Sequence, residues 1–375
     1  MNNNIARDCN PFFLILVSLW LLSSAFKIFF NSNVYIDSSE GFEKILNGMF
    51  WISGFSIVFF RYLLVKFSVD SNLKLIAVTV FCSAFNFNIL AFSFSLLIWN
   101  AIASLMKPKQ FIIIYSMVLF LLIFSFMLSV AFYGQTYFHD PRYGNVETFG
   151  FVNSNSFPQL LIMFFLISAI TPKLSIPLGI VLYFSFNGRV ETRTFYLLLI
   201  LYPLLQLYFY MFRHKKMASL IPLTLFSFSV LLGMIYSSMK TPLVLLLDSI
   251  LSYRISFGSL MLTALSIKEF LFGAYESTFD SLNIPMDMSY ISIVFKYGII
   301  SSFILIVLYT KSISRMHGDK DYQLIALVVA FLMYSLVENV LVSYYLNPTL
   351  YFIFFILKYN NPSEYVTRKI ISEDV

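Results

Sequence analysis

The residues of this chain that could do chemistry fall in a few short polar clusters between long apolar runs. The stretch 139–155 (HDPRYGNVETFGFVNSN) sets His139, Arg142, Glu147, Asn153 and Asn155 just ahead of one such run. An arginine is a planar fork of five donors that can grip a diphosphate through paired hydrogen bonds. A carboxylate or histidine can take the proton of an attacking hydroxyl. Asparagine can hold sugar hydroxyls, or cap the helix that follows. A structural reading stays open, with Asn153 and Asn155 as caps and Arg142 paired with Asp140 or Glu147.

A second cluster, 187–193 (NGRVETR), separates two apolar runs. Its Arg189 and Arg193 are four apart, a spacing that puts both on one helical face at the membrane–water boundary, where a lipid diphosphate would sit. The alternative is an interfacial anchor with Glu191 as its internal partner. A third group spreads over 252–290: Arg254, then Gly273, Tyr275 and Glu276, then Asp287 and Tyr290. Aromatic rings suit the apolar faces of sugars, although Tyr275 and Tyr290 equally suit the interfacial aromatic belt. Glu338, beside Asn339, lies within an apolar run, where a carboxylate needs a partner or a wet cavity. Lys296 in the preceding run is a candidate partner.

Other chemistries find no support. The sequence has no P-loop and no Gly-x-Gly-x-x-Gly, and of three histidines His214 and His317 fall in basic turns. Asp319-Lys-Asp321 has the Asp-x-Asp form, but on a short turn without a nucleotide-binding domain, so no metal site is expected. Cys9 and Cys82 form no Cys-x-x-Cys pair and read as unpaired thiols.

The elements that must carry these clusters follow from composition. The 375 residues are 59% hydrophobic and 12% charged, with a mean hydropathy of +0.81, where a soluble chain carries about 25% charged residues. Lipid must be the solvent, and at about 20 residues per span there is room for about ten to thirteen spans and no separate soluble domain. Hydropathy places twelve, near 11–30, 47–65, 73–87, 89–106, 110–132, 156–171, 174–187, 194–212, 218–236, 288–310, 322–341 and 346–358. The expectation is an all-α polytopic membrane protein of about 12 transmembrane helices (11–13), forming one domain over 1–375.

Charge orients the spans. With the N-terminus cytoplasmic, the inside segments carry fifteen Lys and Arg (Arg7, Lys66, Lys74, Lys107, Lys109, Lys173, Arg213, Lys215, Lys216, Lys311, Arg315, Lys320, Lys358, Arg368 and Lys369). The longer outside segments carry seven: Lys44, Arg142, Arg189, Arg193, Lys240, Arg254 and Lys268. Positive residues are retained inside, so both termini read as cytoplasmic. The formal charge of +6 is thereby a topology signal, not a nucleic-acid one. The outer face then holds a loop at 133–155 and a large loop at 237–287. Counting 255–272 as a span would export the basic residues that follow, so it reads as an amphipathic or re-entrant helix on that face. No internal repeat suggests the two-fold plan of many transporters.

Several of these pieces, in order, resemble the O-antigen and capsule polysaccharide polymerase family (Wzy-type). Lys107-Pro-Lys-Gln-Phe looks like its basic lead-in to the fifth span. Thr148-Phe-Gly-Phe-Val-Asn-Ser-Asn155 is similar to its Gly-Phe-x-Asn-Pro-Asn signature, with Ser154 where Pro is common. Asn187 to Thr194 occupies the place of a Ser-Arg-Thr element. Arg254, Gly273, Asp287-Met-Ser-Tyr290 and Lys296-Tyr-Gly-Ile-Ile300 follow the order of its large loop. The resemblance implies a GT-C-like glycosyltransferase in the bacterial plasma (inner) membrane, needing no cofactor. It would transfer a growing glycan from polyprenyl diphosphate to a new polyprenyl-diphosphate-linked repeat unit on the outer face. It implies Arg142, Arg189, Arg193 and Arg254 on diphosphate and glycan, with Glu147, His139 and Asp287 as base candidates. Asn153, Asn155, Tyr290 and Glu338 would line the substrate site. Implied partners are membrane lipid, the lipid-linked oligosaccharide, a chain-length regulator and a flippase, and no nucleic acid. Two rivals stand beside it. An O-antigen ligase would carry a His in the large outer loop, and 237–287 has none. A flippase would place more charges within its spans.

Overall fold

The computed structural model describes residues 11–36, 40–64, 71–140, 144–212, 216–236, 238, 241–282, 284, 286–341, 343 and 347–358. Each of the twelve apolar runs contains a helix among its described residues. Among the described residues, seven helices are long and apolar enough to cross a membrane, and five shorter apolar ones have 10–17 residues. The chain is an all-α, multi-pass membrane protein. Its described residues divide into two compact units, one built from 11–64 and 98–203, the other from 71–97 and 204–358.

The first unit contains α1 (Pro11–Ser32) and α2 (Glu40–Leu64). Two helices that follow, α3 (Ser71–Cys82) and the front of α4 (Asn88–Leu105), belong to the second unit, while the rear of α4 returns to the first. Then come α5 (Pro108–Tyr133), the strands β1 (Tyr137–Asp140) and β2 (Gly144–Glu147), α6 (Ser156–Ser168), α7 (Pro172–Phe186) and the front of α8 (Arg193–Met211). Local chemistry marks the ends of α5: Pro108 at its first turn, the Gln110 side chain accepting from the Lys107 amide, and Gly134 at φ +94° after it. Proline there costs no hydrogen bond and glycine takes the left-handed region freely.

α1 packs on α2 and α5, and α5 on α6. Trp20 is fully buried, edge-on to Trp99 at 5.2 Å. The final turns of α1 and α5 meet, since Asn33 donates to Ser129 and Tyr35 stacks on Tyr133. The chain ahead of α6 joins them, with Val34 N–H donating to Gly150 and Val152 N–H to Ser32. The ends of α1 and α5, the hairpin and the start of α6 thus share one end of this unit.

The second unit is organised on α14 (Ser289–Gly318). Around it stand α9 (Ile221–Tyr236), α15 (Tyr322–Tyr334) and α16 (Thr349–Lys358), with short α10 (Pro242–Ile250), α11 (Arg254–Ala264), α12 (Ile267–Phe272) and α13 (Glu276–Ser281) between α9 and α14. In its most apolar stretch 72% of α14 is buried, against 28% for α2, so protein rather than lipid encloses it. The expected helix at 255–272 is two short pieces, α11 and α12, neither long enough to span. α11 instead pairs with an unforeseen α10 at a bend of 105°, a broken span or a re-entrant loop. The bend falls on Ser252 and Tyr253, at φ +58° and +63°. Two adjacent side-chain-bearing residues in the left-handed region cost about 1–2 kcal/mol each.

α14 is not continuous. Gly298 sits at φ +76°, ψ 163°, and the segment after α12 fills the break. The amide of Ala274 donates to the carbonyl of Phe295, and Asn86 bonds the carbonyls of Gly273 and Ala274. A Cβ on Gly298 would lie 2.2 Å from the Leu271 carbonyl oxygen, and one on Gly273 2.4 Å from that of Lys296. Two backbones touch here, which only glycine allows. Cys82 is buried as a free thiol; Cys9 lies outside the described residues.

Candidate functional site

Within the second unit, three expected site residues converge from three elements. Arg254 opens α11, Asp287 lies in the turn leading into α14, and Glu338 follows the end of α15. An Arg254 Nη2 donates to Glu338 Oε1 at 3.1 Å, and its Nε lies 3.7 Å from Asp287 Oδ2. The Arg254 side chain is 10% exposed and Glu338 1%, while Asp287 remains 32% open. The carboxylate within the apolar run 322–341 therefore has its ion partner in Arg254; Lys296, the candidate from sequence, is not the residue in its salt bridge.

Glu338 is held as well as paired. The hydroxyl of Ser289, at the start of α14, donates to its carbonyl and accepts from the amides of Val340 and Leu341. The hydroxyl thereby replaces backbone partners that the non-helical chain after α15 has lost. Around the pair, three buried polar atoms have no hydrogen-bond partner among the described residues: Arg254 Nε, Asn339 Oδ1 and the hydroxyl of Tyr334. A buried donor left unfilled costs about 1–3 kcal/mol, and such deficits persist where a bound group completes them. The cluster holds one cation and two carboxylates, one of them reachable from solvent. It can bind an anion through Arg254 and accept a proton at Asp287.

Tyr290, expected at the membrane surface, is instead fully buried. Its hydroxyl donates to the Leu332 carbonyl, so it builds the site's wall and offers no open ring face. Tyr275 is partly exposed, with the Lys268 ammonium 5.5 Å from its ring centre.

The first unit holds a separate ion pair. Arg189 grips Glu147 with two bonds, Nε to Oε2 at 3.0 Å and Nη2 to Oε1 at 2.7 Å. The guanidinium also lies over the Phe149 ring, 4.9 Å from its centre. Hydrogen bonding to Glu147 raises the pKa of Arg189 above its ordinary value. Glu147 is presented by β2, whose register is locked by Thr148 N–H donating to Thr136 and by the two threonine hydroxyls at 2.6 Å. A carboxylate with both oxygens on one arginine is a brace, poorly disposed to act as a base. The pairing of Arg189 with Arg193 on one helical face is corrected. Gly188, at φ +79°, turns the chain after α7, so Arg189 stands in the turn and exposed Arg193 begins α8.

His139 is exposed on β1, its Nδ1 3.2 Å from Asn145 Oδ1. Asn153 accepts from the Asn155 amide in a local turn, and the Asn155 side chain accepts from Thr192, tying α6 to the 187–192 turn. Asn155 occupies the N-cap position of α6 without a side-chain cap bond. Arg142 lies outside the described residues. Asp248 in α10 was missed by sequence reasoning, although a lone acid in an apolar run is the signal that singled out Glu338.

No family model, curated protein or solved structure matches this chain.

Proposed function

We propose that the chain is a polymerase of bacterial surface polysaccharide, a glycosyltransferase whose donor is a glycan on polyprenyl diphosphate. The observation that carries this reading is Arg254: a buried guanidinium held by Glu338, with Nε left without a hydrogen bond, next to a solvent-reachable carboxylate. The ordered resemblance and the Lys and Arg asymmetry support it further. In this reading the twelve helices are twelve spans of a GT-C-like protein, both termini are cytoplasmic, and Arg254 faces outward.

The chemistry asked of the site is modest. The acceptor hydroxyl oxygen bonds to the anomeric carbon of the donor glycan as the bond from that carbon to the diphosphate oxygen breaks. The electron pair leaves with polyprenyl diphosphate, whose growing charge Arg254 stabilises, a role worth several kcal/mol in a water-poor site. The hydroxyl proton passes to Asp287, and Glu338 keeps the guanidinium aimed. No nucleotide sugar enters, so no nucleotide-binding domain is needed.

The test is genetic and chemical. A deletion strain should display single repeat units on the cell surface without the ladder of longer chains, and Arg254→Ala should reproduce this with the protein normally inserted. A normal ladder in Arg254→Ala would sink the role of Arg254. Repeat units trapped on the inner leaflet of the deletion strain would identify a flippase, and intact ladders not joined to their final acceptor would identify a ligase.

A further inference from the structure

We propose that Asp248 is the positioning residue for Arg254, an inference that rests on reading Arg254 as the diphosphate-binding cation. Asp248 lies in the apolar helix α10 and is 2% exposed. Its Oδ1 accepts from the first free amides of α11, Ile255 N–H at 2.9 Å and Ser256 N–H at 3.1 Å. Its Oδ2 accepts from the Tyr236 hydroxyl at 2.8 Å, at the end of α9. Its carbonyl accepts from Tyr253 N–H at 2.7 Å. One residue thus ties both sides of the bend to a neighbouring helix.

The bend needs such a tie. Ser252 and Tyr253 both hold positive φ with no glycine to relieve them, and backbone of this kind persists only where its surroundings over-determine it. A carboxylate on the N-terminal amides of a helix is the natural device, satisfying orphan donors and opposing the helix dipole. Arg254 is the residue immediately after the strained pair, so the bend sets where its side chain starts. With the tie removed the turn relaxes, and the guanidinium loses its registration on Glu338 and Asp287. Glu338 is anchored independently, through Ser289, so the displacement falls on Arg254 alone.

The reaction is followed with the full-length protein in membrane vesicles, using lipid-linked repeat units extracted from the deletion strain. Asp248→Ala should lower kcat about 10- to 100-fold, the cost of misplacing a catalytic group by about 1 Å, with KM changed less than about twofold. Asp248→Asn, whose Oδ1 can still accept from both amides, should recover most of that loss. Tyr236→Phe, which removes one anchor and leaves the carboxylate, keeps the test open if Asp248→Ala fails to accumulate; it should lower kcat about 3- to 10-fold. Because Asp248 acts through Arg254, neither loss should exceed about twofold in an Arg254→Lys background, where the aimed fork is already absent. Full additivity in an impaired Arg254→Lys enzyme, or Asp248→Asn as inactive as Asp248→Ala, overturns the role of Asp248. A normal kcat in Arg254→Lys alone overturns the reading of Arg254 beneath it, and the two failures cannot be confused.

Discussion

Arg254 and Glu338 stand 84 residues apart in the chain and meet at 3.1 Å, the carboxylate sealed from solvent and the guanidinium nearly so. Taking both charges out of water costs several kcal/mol per ion, and their attraction repays it only in good geometry. The pair therefore contributes little to net stability while its loss from one side is severe. Glu338→Ala should destabilise the purified protein by about 3–5 kcal/mol, because a buried cation is left without its partner. The double replacement Arg254→Met with Glu338→Leu should recover most of that in thermal unfolding and remain inactive. An inactive but equally unstable double variant would show that the pair is chiefly a brace.

Asp287 should behave in the opposite way. Its side chain is one-third exposed and its contact with Arg254 is long, so Asp287→Asn should change stability by less than about 1 kcal/mol. As the proton acceptor it should lower kcat about 100-fold or more. Steady-state kinetics and a melting curve on the same preparation separate the two effects.

Glu269 gives a pH signature. Burial pushes its carboxyl up, but hydrogen bonds from the Thr278 and Ser266 hydroxyls and the Ser266 and Tyr275 amides outweigh it and hold the pKa at about 2, against 4.5 ordinarily. A depressed folded pKa means stability fully present above the ordinary value and lost as pH falls through about 2. Over that window the 266–278 segment should lose at most about 3 kcal/mol. Protease resistance of this segment should fall between about pH 4.5 and 2, and Glu269→Gln should be less resistant at neutral pH and flat across the window.

The glycines of the second unit should divide by what a methyl would strike. At Gly273 and Gly298 it would meet backbone carbonyls, so alanine should abolish folding or cost more than about 3 kcal/mol. At Gly258 it would meet the Cδ1 tip of Ile291 at 2.4 Å, which can turn aside, at a cost below about 2 kcal/mol. Thermal unfolding in detergent ranks the three.

Arg189→Lys removes a two-point grip that an ammonium cannot reproduce. With the guanidinium more than a third exposed, the loss should be near 1 kcal/mol. It should speed hydrogen exchange at 144–147 about fivefold and leave the second unit unaffected.

What was legible in the sequence was whatever a solvent can read. Runs such as 110–132 had to be helices because only a helix satisfies its own backbone in lipid. Glu338 stood out because a carboxylate is expensive there, and its partner did not, because nothing local points across 84 residues to Arg254. The same blindness hid the grip of Arg189 on Glu147, 42 residues away, and made Arg189 and Arg193 look like neighbours on a helix that Gly188 in fact interrupts. The bend at Ser252 and Tyr253 carries no glycine or proline to announce it; it is imposed from Asp248 and Tyr236. Gly298 was visible, but glycines are common in membrane helices, so its φ could not be foreseen.

The seam between Gly273 and Gly298 also dictates where this chain can be lengthened. A residue added between Leu271 and Ala274, or between Phe295 and Gly298, would slide one backbone past the other and strand the carbonyl of Phe295 in the interior. Extra residues directly after Leu282, at the end of α13, would fall outside the seam. Tags, reporters or drifted insertions in the large loop are therefore tolerated after α13 and refused after α12, and a library of single insertions scanned for surviving protein would trace the seam as a gap in an otherwise permissive loop.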